Sequence, residues 1–371
     1  MGLSRRNFLQ RTAAGAGAAA LLQIPFSQRL FASPEPARAP RTGNEVLLNS
    51  NENPYGPLPS ATKSMQDALA RANRYPDPDV LAARIATYNR VDAKQVMLGT
   101  GSTEVLKACA LAFTGKGKNI IVGDPAFEAL PMFSEALGAE TRKVPLTTNF
   151  AHDLDAMAQR ADANTGVIYI CNPNNPTASV TPAKDIEAFL AKIPGNAVVL
   201  LDEAYHHFAD GQPDYRSFID QINDRVIVAR TFSKIYGMAG MRLGYAVSSA
   251  KIIDKITDYQ LVMNMNMVTI AGAMASLDDD AAMKFAAQRN AADRAEFSKQ
   301  AASRNVTFIP SYANFFMVKT GRPVKDMIAE FKKENVLIGR PFPPMLDWIR
   351  VSLGLPDEMK TFWQVWDGVK A

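Results

Sequence analysis

The sequence predicts an α/β protein, a mostly parallel sheet flanked by helices with a smaller α+β lobe after it, and two observations predict it. Short apolar runs of strand length alternate with helix-like segments through the first two thirds of the chain. Several of these runs lead straight into clusters of polar residues, the arrangement expected where strand ends build a site. With 371 residues and 47% hydrophobic content, the chain is long enough to bury a large core.

Taken in order, the first segment is not fold material. SRRNFLQ, residues 4–10, sets Arg5 and Arg6 before Phe8 and Leu9, and an Ala/Gly-rich apolar run from Thr12 to Leu22 follows. This resembles a twin-arginine export signal, a receptor-read address for proteins exported already folded. The bland alternative is a frayed basic terminus. The run is far shorter than the roughly 20 apolar residues that span a bilayer, so no stable membrane anchor is expected. Ala37-Arg38-Ala39 has the small-x-small form of a cleavage site, but Pro40 follows at once. The expectation is a periplasmic or otherwise exported protein that uses the twin-arginine machinery, with residues 1–39 as signal and linker and 40–371 as the folded part.

Five runs read as buried strands: Asn119 to Val122, Gly166 to Cys171, Ala197 to Leu201, Arg225 to Ala229 and Leu243 to Val247, each flanked by Gly, Pro, Asn or Asp. From about residue 280 the pattern changes to amphipathic helices, around 281–303 and 324–335, with a short strand near Phe315 to Val318. This change reads as a smaller C-terminal lobe; the expected division is a large lobe over 67–265 and a small lobe from 40–66 plus 266–371. No internal repeat appears after the signal.

Composition narrows the function. Residues 1–39 carry five arginines and one glutamate, which accounts for the whole formal charge of +4 and leaves the rest neutral. Nucleic-acid binding therefore has no support from overall balance. Cys109 and Cys171, the only cysteines, sit in apolar contexts and are expected to pack as small hydrophobes, although an exported chain could join them if they met. His152, His206 and His207 form no spaced set with other ligand types, so no metal is expected.

The polar clusters carry the chemistry. Lys234 lies in a turn after a strand, where an amine can be partly desolvated and made nucleophilic. Thr231 and Ser233 beside it and Arg242 eight residues on suit a phosphate dianion. Gly101, Ser102 and Thr103 open an apolar-periodic helix, whose free amides and dipole favour an anion. Ser-Thr before Glu104 is also an ordinary helix cap, and without a Gly-Lys-Ser/Thr ending it is no P-loop.

In order, NENPYGP at 51–57, RYPDP at 74–78, NPNNPT at 172–177, DEAY at 202–205 and TFSKIYGMAGMRLGY at 231–245 resemble the pyridoxal-phosphate-dependent aminotransferases of class I/II, in the histidinol-phosphate aminotransferase branch. The likeness spans roughly residues 45–365. It implies fold type I with a seven-stranded type of sheet, pyridoxal 5'-phosphate as cofactor, and a homodimer. The reaction implied is amino transfer between an amino acid or amino-phosphate donor and a 2-oxo acid.

Residue by residue, the resemblance implies that Lys234 bonds the cofactor through its amine and shuttles the substrate's α-proton. Asp202 would keep the pyridine nitrogen protonated. Tyr205 and Asn175 would hydrogen-bond the ring's phenolic oxygen, and Phe127 would stack on the ring where relatives usually carry tyrosine. Gly101, Ser102, Thr103, Thr231, Ser233 and Arg242 would surround the phosphate, with Tyr75 reaching it from a neighbouring subunit. Arg350 and Arg340 would receive the substrate's anionic end, with Asn53 also on the substrate side.

Two departures stand out. Ala178 replaces the usual glycine after Asn-Pro-Thr, which should shift that turn slightly. MNMNM at 263–267 replaces the usual small residues or prolines, implying either an altered substrate entrance or plain Met-rich packing. A decarboxylase or oxidase on the same fold, and a non-catalytic periplasmic cofactor-binding sensor, are the competing readings. The sensor would be marked by loss of Lys234 or Asp202, and both are present.

Overall fold

The computed structural model describes residues 43 and 45–370. The segment with Arg5, Arg6 and the proposed cleavage site lies outside the described residues. A short strand, β1 (Val46–Leu48), precedes a seven-stranded sheet made of β2 (Val96–Gly99), β3 (Asn119–Asp124), β4 (Glu140–Pro145), β5 (Thr165–Cys171), β6 (Val198–Asp202), β7 (Val226–Thr231) and β8 (Gly244–Val247). Its order is β2-β8-β7-β6-β5-β3-β4. Only β8 runs against its neighbours, pairing antiparallel with both β2 and β7.

All five predicted runs lie in this sheet. β5, β6 and β7 are buried at every position, as expected of strands covered by helices on both faces. Two strands were not legible in advance. β4 is an edge strand whose sequence ETRKVP buries only Val144, so it lacks the apolar run that marks the others. β2 is four residues long, too short for a periodic signal.

The C-terminal part carries β9 (Phe315–Lys319), β10 (Val336–Ile338) and β11 (Trp348–Ser352). β1 pairs parallel with β10, and β11 antiparallel with β9. Helices span Asp280–Ser303 and Val324–Lys333, close to the expected ranges. They cover a second core in which Phe297 stacks on Phe316 with centroids 4.1 Å apart, beside Phe331, Phe362 and Trp366. Leu48 of β1 joins this core, so the chain passes through it before building the large sheet.

A buried ion pair lies inside the large core. Arg230 on β7 and Glu203, one residue past β6, form an ion pair at 2.9 Å with both side chains at most 5% exposed. Ser217 and the amide of Phe218 complete the carboxylate's partners, and Asn89 takes the guanidinium. Such a pair contributes little net stability, but losing one member would strand a buried charge. Cys109 and Cys171 are both buried and free. Among the described residues no helix is long and apolar enough to cross a membrane, and no group of three or more candidate ligands could hold a metal.

Candidate functional site

The site lies where the strand ends meet. β2, β3, β5, β6 and β7 all point their carboxyl ends to one edge of the sheet, and the reversed β8 brings its amino end there too. The segments that follow or precede these ends hold Gly101, Phe127, Asn175, Asp202, Lys234 and Arg242. Strand direction therefore explains why residues from six separate places lie at one edge of the sheet.

Asp202 ends β6 and is 2% exposed. Its Oδ2 accepts a 2.7 Å hydrogen bond from the Tyr169 hydroxyl, and its Oδ1 accepts from the Ala204 amide. Burial pushes its pKa up to about 6, against the pull of these donors and of the Lys234 charge. Tyr169 sits within β5, fully buried, and was not singled out in the sequence because a tyrosine inside an apolar strand reads as packing. Tyr205 is buried against Phe315, its hydroxyl accepting from Asn51 Nδ2 at 2.9 Å. Asn175 Oδ1 accepts from Arg350 at 2.8 Å. Tyr205 and Asn175 thus have an acceptor engaged and a donor to spare, as contact with an oxygen anion requires.

Lys234 is half-buried, its Nζ donating to the carbonyls of Ser50 and Asn51. Burial, with help from the Arg350 charge, lowers its pKa to about 8. The loop that carries it is locked to the NENPYGP segment. Gly237 has φ of 67°, and a Cβ there would overlap the Gly56 carbonyl. Asn53 serves the same join, donating to Ile235 O and accepting from the Tyr55 amide. Asn51 is the member of this motif that reaches Tyr205.

Arg242 packs beside the start of the helix Ser102–Phe113. Its N-cap is Gly101, with φ of 76° and no side-chain cap. A Cβ at Gly101 would overlap Arg242 Nη2, so glycine is what admits the guanidinium beside the helix terminus. Glu104 does not close a capping box with Ser102 or Thr103: it takes the Thr100 amide, the Leu261 amide and Asn264. Thr231 and Ser233 hydroxyls are 2.9 Å apart, and Arg242 Nη1 lies 3.4 Å from Ser233 Oγ.

Arg350, on β11, is 7% exposed and donates to Asn175 Oδ1 and Asn49 O, while its buried Nε has no partner. Burial lowers its pKa to about 10. Arg340 is ion-paired with Glu128 and stacks over Phe342. Phe127 is half-buried beside Glu128. Tyr75 is 82% exposed on the surface of this chain. MNMNM divides its roles: Met265 is buried, Met263 is exposed, Asn264 holds Glu104, and Asn266 caps the next helix. At Ala178 the backbone is left-handed, φ 58°, the conformation that glycine favours, and its amide and carbonyl bond Asn174 and Tyr312. The turn is held by those bonds at a cost on the order of 1 kcal/mol.

Comparison with known proteins gives a consistent result. The family described as aminotransferase class I and II matches residues 44–362. Histidinol-phosphate aminotransferase 2 of Pseudomonas aeruginosa is 36% identical over 325 residues, 86% of this chain and 87% of that one. The aromatic amino acid aminotransferase of Cutibacterium acnes is 37% identical over 319 residues, 85% and 90% of the two chains. Among solved structures, histidinol-phosphate aminotransferase from Sinorhizobium meliloti in complex with pyridoxal-5'-phosphate superposes with a TM-score of 0.81 at 24% identity, covering 95% of this chain and all of that one.

The raised pKa of Asp202 has a measurable consequence. Its folded-state pKa of about 6 lies above the ordinary 3.8, so the folded chain holds this proton more tightly than the unfolded one. Stability of the cofactor-free protein should therefore fall as pH rises from about 4 to 6 and level off above. Asp202→Asn should remove the cost of holding this carboxylate ionised and stabilise the cofactor-free protein at pH 7 by about 3 kcal/mol. Urea unfolding at pH 4 and pH 7 checks this: an unchanged or lowered midpoint at pH 7 would refute it.

Proposed function

The chain belongs to the aminotransferase class I and II family, and on that premise we propose residue roles, an assembly and a location for it. It is a pyridoxal-phosphate-dependent aminotransferase of the histidinol-phosphate aminotransferase branch, moving an amino group between an amino acid or amino-phosphate donor and a 2-oxo acid. When bound, the cofactor supplies an electron sink that stabilises the carbanion left by removal of the α-proton.

The observation that carries the proposed roles is the convergence of a half-buried Lys234, a buried Asp202 and the Gly101–Arg242 cradle at one sheet edge. The donor set fits the cofactor: amides and hydroxyls at Ser102, Thr103, Thr231 and Ser233 with Arg242 suit its phosphate, and Asp202 suits its ring nitrogen. In this reading Asp202 holds the proton on that nitrogen while Tyr169 and the Ala204 amide hold the carboxylate in place. Tyr205 and Asn175 would offer their spare donors to the ring oxygen, and Phe127 would pack against the ring. Lys234, with its pKa lowered to about 8, has a neutral amine accessible near neutral pH, able to bond the cofactor and then to take and return the α-proton. Arg350, fixed by Asn175 and Asn49, orients the substrate's carboxylate.

An absorption titration tests the assignment. Adding an amino donor to the purified holoenzyme should bleach the near-visible band, and a 2-oxo acid should restore it; bleaching that no oxo acid reverses would favour a decarboxylase or oxidase. Lys234→Ala should keep the cofactor through its phosphate contacts but lose turnover by at least about 10³-fold, and retained multiple turnover would end the proposed role.

We further propose a homodimer in which Tyr75 of each chain completes the other's phosphate site. Supporting this, Tyr75 is 82% exposed, as are the apolar Val262 at 90% and Met263 at 73%, an exposure that a partner surface would relieve. Sedimentation should give the mass of two chains, and Tyr75→Ala should weaken cofactor affinity; a monomer with full affinity would exclude the arrangement. Export through the twin-arginine route fits a protein that folds around its cofactor before it leaves the cytoplasm. Replacing Arg5 and Arg6 with lysine should hold the protein in the cytoplasmic fraction, and undiminished export of that variant would refute the signal.

A further inference from the structure

Glu104 is a carboxylate 7% exposed, set in the first turn of the helix that starts beside Arg242. Every partner of its two oxygens among the described residues is an N–H group. Oε2 accepts from the Thr100 amide and from Asn264 Nδ2, and Oε1 accepts from the Leu261 amide at 2.8 Å and from the same Asn264 nitrogen. Thr100 directly precedes Gly101, the N-cap of the helix. Leu261 and Asn264 belong to the 259–264 loop, in which Leu261, Val262 and Met263 are exposed. Further bonds join the same parts: Thr100 Oγ1 donates to Asn264 O at 3.4 Å, and Gln260 Nε2 donates to Leu98 O at 2.7 Å. One buried side chain thus ties the turn at Gly101 to an apolar loop that follows it by some 160 positions.

We propose that Glu104 is a positioning residue for the cofactor's phosphate: by clamping the Thr100 amide and the 259–264 loop together it fixes the turn at Gly101, so that the loop and the phosphate site keep or lose their shape as one unit. The inference rests on the phosphate site assigned above to Gly101, Ser102, Thr103 and Arg242. Charge and geometry act here in opposite senses. A carboxylate in the first turn of a helix already uses part of the positive potential of the helix end and repels a second anion there, so as a charge Glu104 opposes a phosphate. As a shape it supports one. An ionised carboxylate accepts at both oxygens and donates nothing, and two backbone amides and a side-chain amide converge on this one. Glutamine has the same length but sets an NH2 group where an oxygen now accepts, so that a buried donor faces a donor and loses its bond. The turn at Gly101 then shifts, and with it the Ser102 and Thr103 amides assigned to the phosphate. Asn264 of MNMNM is by the same bonds a support of the phosphate site.

The test uses the full chain with its cofactor removed. Dissociation constants are measured for pyridoxal 5'-phosphate, for pyridoxal, which lacks the phosphate, and for inorganic phosphate as a competitor. Glu104→Gln should weaken pyridoxal 5'-phosphate at least about fivefold more than pyridoxal, and weaken inorganic phosphate by a similar factor, although a negative charge has been removed. Asn264→Ala, which leaves the helix and its charge untouched, should weaken both anions by about two- to threefold, and it decides the matter should Glu104→Gln fail to fold. Hydrogen exchange in the 258–266 peptide should quicken about tenfold in Glu104→Gln while that of β9 stays unchanged. Anion binding that is unchanged or tighter means that Glu104 acts only as a charge and overturns the proposal. Equal losses for pyridoxal and its phosphate overturn it too, since they mark general damage to the fold, as does an unchanged exchange rate in the loop. Failure of the underlying phosphate assignment is distinguishable: the wild-type chain then binds pyridoxal as tightly as pyridoxal 5'-phosphate, and inorganic phosphate does not compete.

Discussion

A carboxyl group buried at the end of a central strand is the constraint around which the site is organised. Asp202 cannot be left bare, because an ionised carboxylate away from water is costly. It is supported by a phenol from the next strand and by an amide two residues on. The adjoining Glu203 is neutralised by Arg230 from the strand on the other side, so the chain buries two consecutive acidic residues with opposite solutions. One is paired and structural. The other has no guanidinium and keeps a raised pKa.

From there the rest follows through contact. Lys234 lies 5.7 Å from the centroid of the Tyr205 ring, Tyr205 packs edge-on to Phe315, and Arg350 sits over Phe315 and Phe342. Aromatic faces thus space the cationic groups of the cleft, accepting positive charge without neutralising it. The only cation of this chain of contacts that is neutralised by a carboxylate is Arg340, by Glu128. Near the opposite end, Gly101 clears room for Arg242 beside a helix terminus, concentrating positive potential where a phosphate would sit.

The parts of this architecture differ in how readily they could be seen in advance. Strands β5, β6 and β7 were legible because burial on both faces demands unbroken apolar runs. Edge strand β4 was not, since one buried valine satisfies its contact with the core. The motif residues at strand ends were legible by type and order, Lys234 and Asp202 above all. Tyr169 was hidden by its strand, and Asn53 and Asn51 could not be told apart, because both are polar residues two apart in one loop and only the loop's path decides which one faces Tyr205.

By itself, the sequence determined the α/β class, the central strands and the set of reactive residue types, because those depend on local periodicity and on side-chain chemistry. Only the tertiary structure decided how those residues meet. The reversal of β8 places Arg242 at the same edge as Lys234, and the pairing of Arg340 with Glu128 joins residues 212 apart in the chain. Neither follows from local pattern, since strand direction and long-range partners are set by how the whole sheet and the C-terminal segment pack, and a guanidinium has the same sequence signature whether it is free or already held.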